Sequence, residues 1–125
     1  MELLGIDHVQ IAIPAQGEEV ARSFYVGVLE MTELRKPPVL AARGGCWFRS
    51  GSVELHVGID ADFRPARKAH PALLVGDLEA LEERLAQHGC RAWPGEELAG
   101  RKRSFTEDPF GNRIELIELL GVGDA

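Results

Sequence analysis

Ile6-Asp7-His8-Val9-Gln10-Ile11-Ala12-Ile13 carries the pattern that decides the fold. From His8 onward it alternates, with His8 and Gln10 on one face of a strand and Val9, Ile11 and Ile13 on the other. A second stretch, Ala69-His70-Pro71-Ala72-Leu73-Leu74-Val75, sets another histidine at its head 62 positions after His8. Each stretch is followed at a distance by a closing phrase, Ser52-Val53-Glu54-Leu55 and Arg113-Ile114-Glu115-Leu116, whose glutamates are 61 positions apart. The chain is therefore read as an internal repeat before any other fold is considered.

Between these markers the period changes in the same order twice. After a strand over residues 5–13, Val20, Phe24 and Val28 recur every four residues, with Ala21 and Tyr25 alongside, and predict an amphipathic helix over residues 18–29. Strands are expected over 31–36, 41–49 and 52–58, with Pro37-Pro38 as a break and Ser50-Gly51 as a tight connection. In the second half a strand over 70–75 leads to Asp77, a helix cap, and to Leu78, Leu81 and Leu85 on one helical face. Gly89 ends that helix, and strands over 91–93, 101–106 and 112–119 complete the set. The reading is an α+β fold of two β-α-β-β-β modules, about 1–60 and 66–125, in a single domain spanning 1–125. A four-stranded sheet with one helix has one covered face. Pairing two such sheets, within a chain or between chains, would leave helices outside and a cup inside. A homodimer is expected on the same ground.

Composition narrows the function. Fourteen basic against twenty acidic side chains give a formal charge of -6, which disfavours nucleic acid as a partner. No apolar run approaches the length needed to span a bilayer, and no secretory leader is evident, so a cytoplasmic protein without membrane partners is expected. Cys46 and Cys90 form neither a disulfide framework nor a redox pair and are read as ordinary thiols.

The residues that carry chemistry are the repeated histidines and glutamates. Glu54 and His56 share a strand face, and Glu115 lies among apolar neighbours, where an unpaired carboxylate is costly. A cation would satisfy it. Imidazole and carboxylate together suit zinc, nickel, manganese, iron or cobalt, whereas calcium normally takes oxygen alone. His8, His70 and Glu115 form a three-ligand set. Glu54 is preferred as a fourth ligand because it matches Glu115 through the repeat, with His56, two residues on, as its competitor. Glu54 or Glu115 would serve as the catalytic carboxylate. Arg67, Lys68, Arg101 and Arg103 are read as solvated charges or as contacts to an anionic substrate, with the three arginines also candidates, like His56, for supporting the ligands from behind. His88 is read as a helix C-terminal residue. Asp108 and Asn112 are expected to cap the turn Asp108-Pro109-Phe110-Gly111, which aims the last strand. Trp47, Phe48 and Trp93 fit pocket walls or core equally well.

Asp7-His8-Val9, Phe24-Tyr25 with Val28-Leu29, Val53-Glu54-Leu55, His70 through Asp77-Leu78, and above all Asp108-Pro109-Phe110-Gly111-Asn112-Arg113-Ile114-Glu115 resemble the vicinal oxygen chelate superfamily. That group includes glyoxalase I, fosfomycin-modifying enzymes, extradiol dioxygenases and bleomycin-resistance proteins. The resemblance implies paired modules, usually in a dimer, around a divalent metal. In glyoxalase I the ligand positions fall on His8, Glu54, His70 and Glu115. In the fosfomycin enzymes and dioxygenases they fall on His8, His70 and Glu115. The implied activity is that of a glyoxalase-like lyase or isomerase acting on a small oxygen-bearing substrate, such as the thiol adduct of a 2-oxoaldehyde. The alternatives are a fosfomycin-type thiol transferase and a non-enzymatic small-molecule binding or resistance protein.

Overall fold

Alternation in the first stretch becomes strand β1 (Val9–Ile13), with Ile11 and Ile13 buried and Gln10 exposed on the other face. The structure is a computed structural model that describes residues 1–121; the last four residues of the expected second module lie outside the described residues. Contacts divide the chain into two compact units, Met1–Arg64 and the part from Pro65 onward.

In the first unit, β1 is followed by α1 (Glu18–Tyr25), β2 (Thr32–Leu34), α2 (Pro38–Ala41), β3 (Cys46–Ser50) and β4 (Val53–Ile59). The sheet order is β1-β4-β3-β2, with β1 parallel to β4 and the other pairs antiparallel. The apolar residues of one sheet face, including Ile13, Leu55, Val57 and Phe48, are almost fully buried. Each such side chain contributes roughly 1.5–3 kcal/mol relative to exposure. Helix α1 adds Ala21, Phe24 and Tyr25, and Tyr25 stacks on Phe48 with ring centroids 5.3 Å apart. The stripe differs from the expected one only at Val20, which is 46% exposed, while Ala21, Phe24, Tyr25 and Val28 are buried. The regular helix stops at Tyr25, and the next turn is wide, with Gly27 N and Val28 N donating to Arg22 O and Phe24 O.

The region read as a break at Pro37-Pro38 holds the short helix α2, because proline at the first helical position has the required φ and loses no hydrogen bond. The strand expected from residue 41 consequently begins at Cys46.

The second unit repeats the plan with β5 (Ala72–Leu74), α3 (Leu78–Gln87), β6 (Ala92–Pro94), β7 (Arg101–Glu107) and β8 (Arg113–Leu119), in sheet order β5-β8-β7-β6. Again the first strand runs parallel to the last, and the others are antiparallel. Asp77 caps α3 as expected, its Oδ1 accepting from Ala80 N at 3.0 Å. Glu118 Oε1 accepts from Leu78 N at 2.8 Å, so a second otherwise unpaired helix donor is tied to β8. Leu78 and Leu85 are buried beneath the helix. The two units are thus α+β, each with one mixed four-stranded sheet. Among the described residues no helix is long and apolar enough to cross a membrane.

Candidate metal-binding residues

In the first unit the polar residues of β1 and β4 share the face opposite Leu55 and Val57. Gln10 pairs with His56, and His56 pairs in turn with Trp47 on β3. The rings form a stack: His8 lies on His56 with centroids 4.0 Å apart and planes 16° from parallel, and Trp47 lies 4.5 Å from His56 at 11°. His56 is only 5% exposed. Its Nε2 donates to Glu54 Oε2 at 2.7 Å, while Glu54 Oε1 stands 3.9 Å from Arg49. His8 Nδ1 donates to Asp7 Oδ1 at 2.9 Å. These histidines border a cavity of about 390 Å³ with Gln10, Lys36, Arg43 and Trp47 in its wall.

In the second unit His70 and Glu115 meet directly, with Nε2 2.9 Å from Oε1. His70 Nδ1 lies 2.8 Å from Lys68 O. A carbonyl only accepts, so Nδ1 carries a proton. In a neutral ring Nε2 then presents a lone pair to a carboxylate, an unfavourable pairing that either a second proton or a cation between the two atoms resolves. Glu115 is 7% exposed. Its Oε2 accepts from Arg103 Nε at 2.7 Å, and Arg103 Nη1 donates to Glu96 O. Burial pushes the Glu115 carboxyl up, but the hydrogen bonds from Arg103 and His70 outweigh it and hold the group below the ordinary carboxylate range.

The turn before β8 aims Glu115. Gly111 N donates to Asp108 O at 3.0 Å, and Gly111 takes a φ of +91° that side chains resist. Asp108 Oδ1 accepts from Phe110 N and Asn112 N, and Asn112 Oδ1 accepts from Ala66 N. With Arg113 N donating to Ala66 O, the turn clamps the segment that leads to His70. Asp108 and Asn112 therefore hold the turn, as expected.

Arg103, one of the residues expected to support a ligand or contact substrate, holds Glu115 through the 2.7 Å bond from its Nε. The signal was available: the turn centred near Phe110 pairs Phe105 with Glu115, which sets Arg103 two residues from that pair on the same face. Phe105 completes the surroundings, its ring edge-on to His70 at 5.6 Å. Arg67 and Arg101 are exposed, and Lys68 contributes its backbone carbonyl. Phe48 belongs to the core and Trp47 to the cavity wall. His88 donates from Nδ1 to Arg84 O at the end of α3.

Two donor atoms about 2.0–2.2 Å from a cation lie about 2.9–3.4 Å apart, so the His70–Glu115 spacing suits a shared ion. Nitrogen with oxygen also suits the borderline metals expected. Among the described residues, however, no group of three or more His, Cys, Asp or Glu side chains is assembled to hold a metal. Each unit supplies a His–Glu pair.

A profile of the Glyoxalase/Bleomycin resistance protein/Dioxygenase superfamily matches residues 5–116. The chain belongs to that superfamily. No curated protein matches its sequence. Among solved structures, a glyoxalase family protein from Bacillus anthracis, so described only provisionally, is 41% identical to this superfamily member, with 95% of this chain and 98% of that one covered and a TM-score of 0.91. The fosfomycin resistance protein FosX from Listeria monocytogenes is 12% identical over 94% of each chain, with a TM-score of 0.74. TnmS3, an antibiotic binding protein from Streptomyces sp. CB03234, is 22% identical over 94% of this chain and 99% of that one, with a TM-score of 0.70. At these last two identities the likeness concerns the fold.

Proposed function

We propose that this protein is a cytoplasmic, homodimeric, divalent-metal-dependent lyase or isomerase of the glyoxalase type, acting on a small oxygen-bearing substrate. The observation that carries the reading is the His70–Glu115 pair, whose Nε2 and Oε1 atoms are 2.9 Å apart. His8, His70 and Glu115 are the proposed ligands, with a fourth donor from the pair Glu54–His56. A bound cation would polarise the substrate oxygens and make the adjacent C–H more acidic.

The protein's own groups divide the remaining work. Glu115 has both oxygens engaged, by His70 and Arg103, which suits a fixed ligand. Glu54 is held through one oxygen and its side chain is 25% exposed, which suits a carboxylate that takes a proton from one carbon and returns it to the next. For the hemithioacetal of a 2-oxoaldehyde, that transfer yields the thioester of a 2-hydroxy acid with no other reactant.

The test is metal analysis of the purified protein, followed by chelation, add-back and assay of methylglyoxal–thiol isomerisation. Thioester formation that disappears on chelation and returns with one divalent ion supports the reading. Turnover that ignores the metal overturns it.

A second reading, a small-molecule binding protein, is favoured by the cavity of about 390 Å³, within the size range of ligand pockets and walled partly by Trp47 and the histidine rings. Saturable binding of a small aromatic ligand without any bound metal would select it.

A further inference from the structure

The sequence repeat aligns Glu54 with Glu115, but the strand pairing does not. In the second unit the residue two beyond His70, Ala72, pairs with Glu115, Glu115 with Phe105, and Phe105 with Trp93. In the first unit the residue two beyond His8, Gln10, pairs with His56, His56 with Trp47, and Trp47 with Leu34. The two rows correspond strand by strand. His56 occupies the place that Glu115 occupies, and Glu54 corresponds to Arg113. The hairpins explain the slip: Gly51-Ser52 joins β3 to β4, whereas five residues, 108–112, join β7 to β8. Side-chain contacts agree with the pairing. His70 meets Glu115, and His8 meets His56.

The hydrogen bonds add a second, independent observation. A histidine that ligates a metal characteristically donates its other ring N–H to a carboxylate or carbonyl, which fixes the tautomer and the ring. All three histidines in question are held in that way. His8 Nδ1 is on Asp7, His70 Nδ1 is on Lys68 O, and His56 Nε2 is on Glu54. The remaining nitrogens are Nε2 of His8 and Nδ1 of His56, while Nε2 of His70 faces Glu115 Oε1 at 2.9 Å. His56 is buried among the described residues, borders the cavity beside His8, and has no hydrogen bond at Nδ1.

We infer that the cation ligand contributed by β4 is His56, through Nδ1, and that Glu54 is its orienting carboxylate rather than a ligand. This rests on the metal-dependent reading above and changes its donor set to three imidazoles and Glu115. It also frees Glu54 for proton transfer.

The test measures cobalt(II) and zinc(II) affinity by calorimetry and by the visible cobalt spectrum, on chelator-treated protein and four variants of verified fold. His70→Ala reports the metal site itself. His56→Gln keeps a polar group near Nε2 and loses the one near Nδ1, whereas His56→Asn keeps a donor near Nδ1. Glu54→Gln keeps an amide oxygen to accept from His56 Nε2. The expected result is a loss of more than 100-fold in His56→Gln, partial retention in His56→Asn, and a loss of up to about 10-fold in Glu54→Gln, the low end of the range for orienting partners. If Glu54→Gln loses as much as His70→Ala while both His56 variants bind normally, the assignment to His56 is overturned and the metal reading stands. If the parent protein binds neither ion, or His70→Ala binds like the parent, the metal reading itself fails.

Discussion

Replacing Arg103 by methionine keeps much of the side-chain volume while removing the guanidinium from Glu115. Glu115 is 7% exposed, and among the described residues its carboxylate keeps only the His70 contact. A hydrogen bond to a charged group contributes about 1.5–3 kcal/mol net, and stripping one partner from a buried ion pair costs about 3–5 kcal/mol. With the Arg103 side chain itself 16% exposed and His70 still in place, the expected loss at pH 7 is about 2–3 kcal/mol. The sign with pH follows from the depressed Glu115 group. Its stabilising contribution is present above the ordinary carboxyl value of 4.5 and disappears as pH falls through the lower folded value. In Arg103→Met burial acts with one fewer opponent, so the gap between parent and variant should narrow from pH 7 toward pH 3.5. Urea unfolding across that interval measures both effects, and a double-mutant cycle with Glu115→Gln isolates the pair. A gap under about 0.5 kcal/mol at pH 7, or one independent of pH, would refute the role given to Arg103.

Three further outcomes follow from the packing and thiol environments. Asn112→Ala removes a side chain 1% exposed together with its hydrogen bonds to Ala66 N and Asp108 Oδ2, so thermal unfolding should report a loss of roughly 2–4 kcal/mol. In Gly27→Ala the new methyl would stand 2.3 Å from Ser23 O, and a loss of about 1–3 kcal/mol is expected from the shift it forces; an unchanged melting temperature would contradict this account of the turn after α1. Burial pushes the Cys46 thiol up to about 11, whereas Cys90 is part-exposed. A thiol reagent at pH 8 should therefore label one cysteine in the native protein and two after denaturation, with Cys90 modified first.

The fold was legible because its signals are local. Alternation from His8 to Ile13, the Asp77 cap and the turn at Asp108–Gly111 each specify structure from a few neighbouring residues. Helix α2 was not legible, because Pro37-Pro38 announces a break and a helix start equally well. In the stripe of α1 only Val20 departs from the reading, because period four and period 3.6 diverge within two turns and the buried face follows Ala21, Phe24 and Tyr25. For the candidate site, histidine and glutamate identities could be read directly, but their partners depend on strand register. Spacing alone equated Glu54 with Glu115, and the unequal hairpins undo that equation. For Arg103 a basic run before a strand fits solvated surface, substrate contact and ligand support alike, and only the antiparallel pairing turns that residue toward Glu115.

Calorimetric titration of the chelator-treated protein with zinc(II) tests the central claim most directly. Saturable binding of one ion per chain, lost in His70→Ala, is the predicted result; the absence of any saturable binding would contradict it.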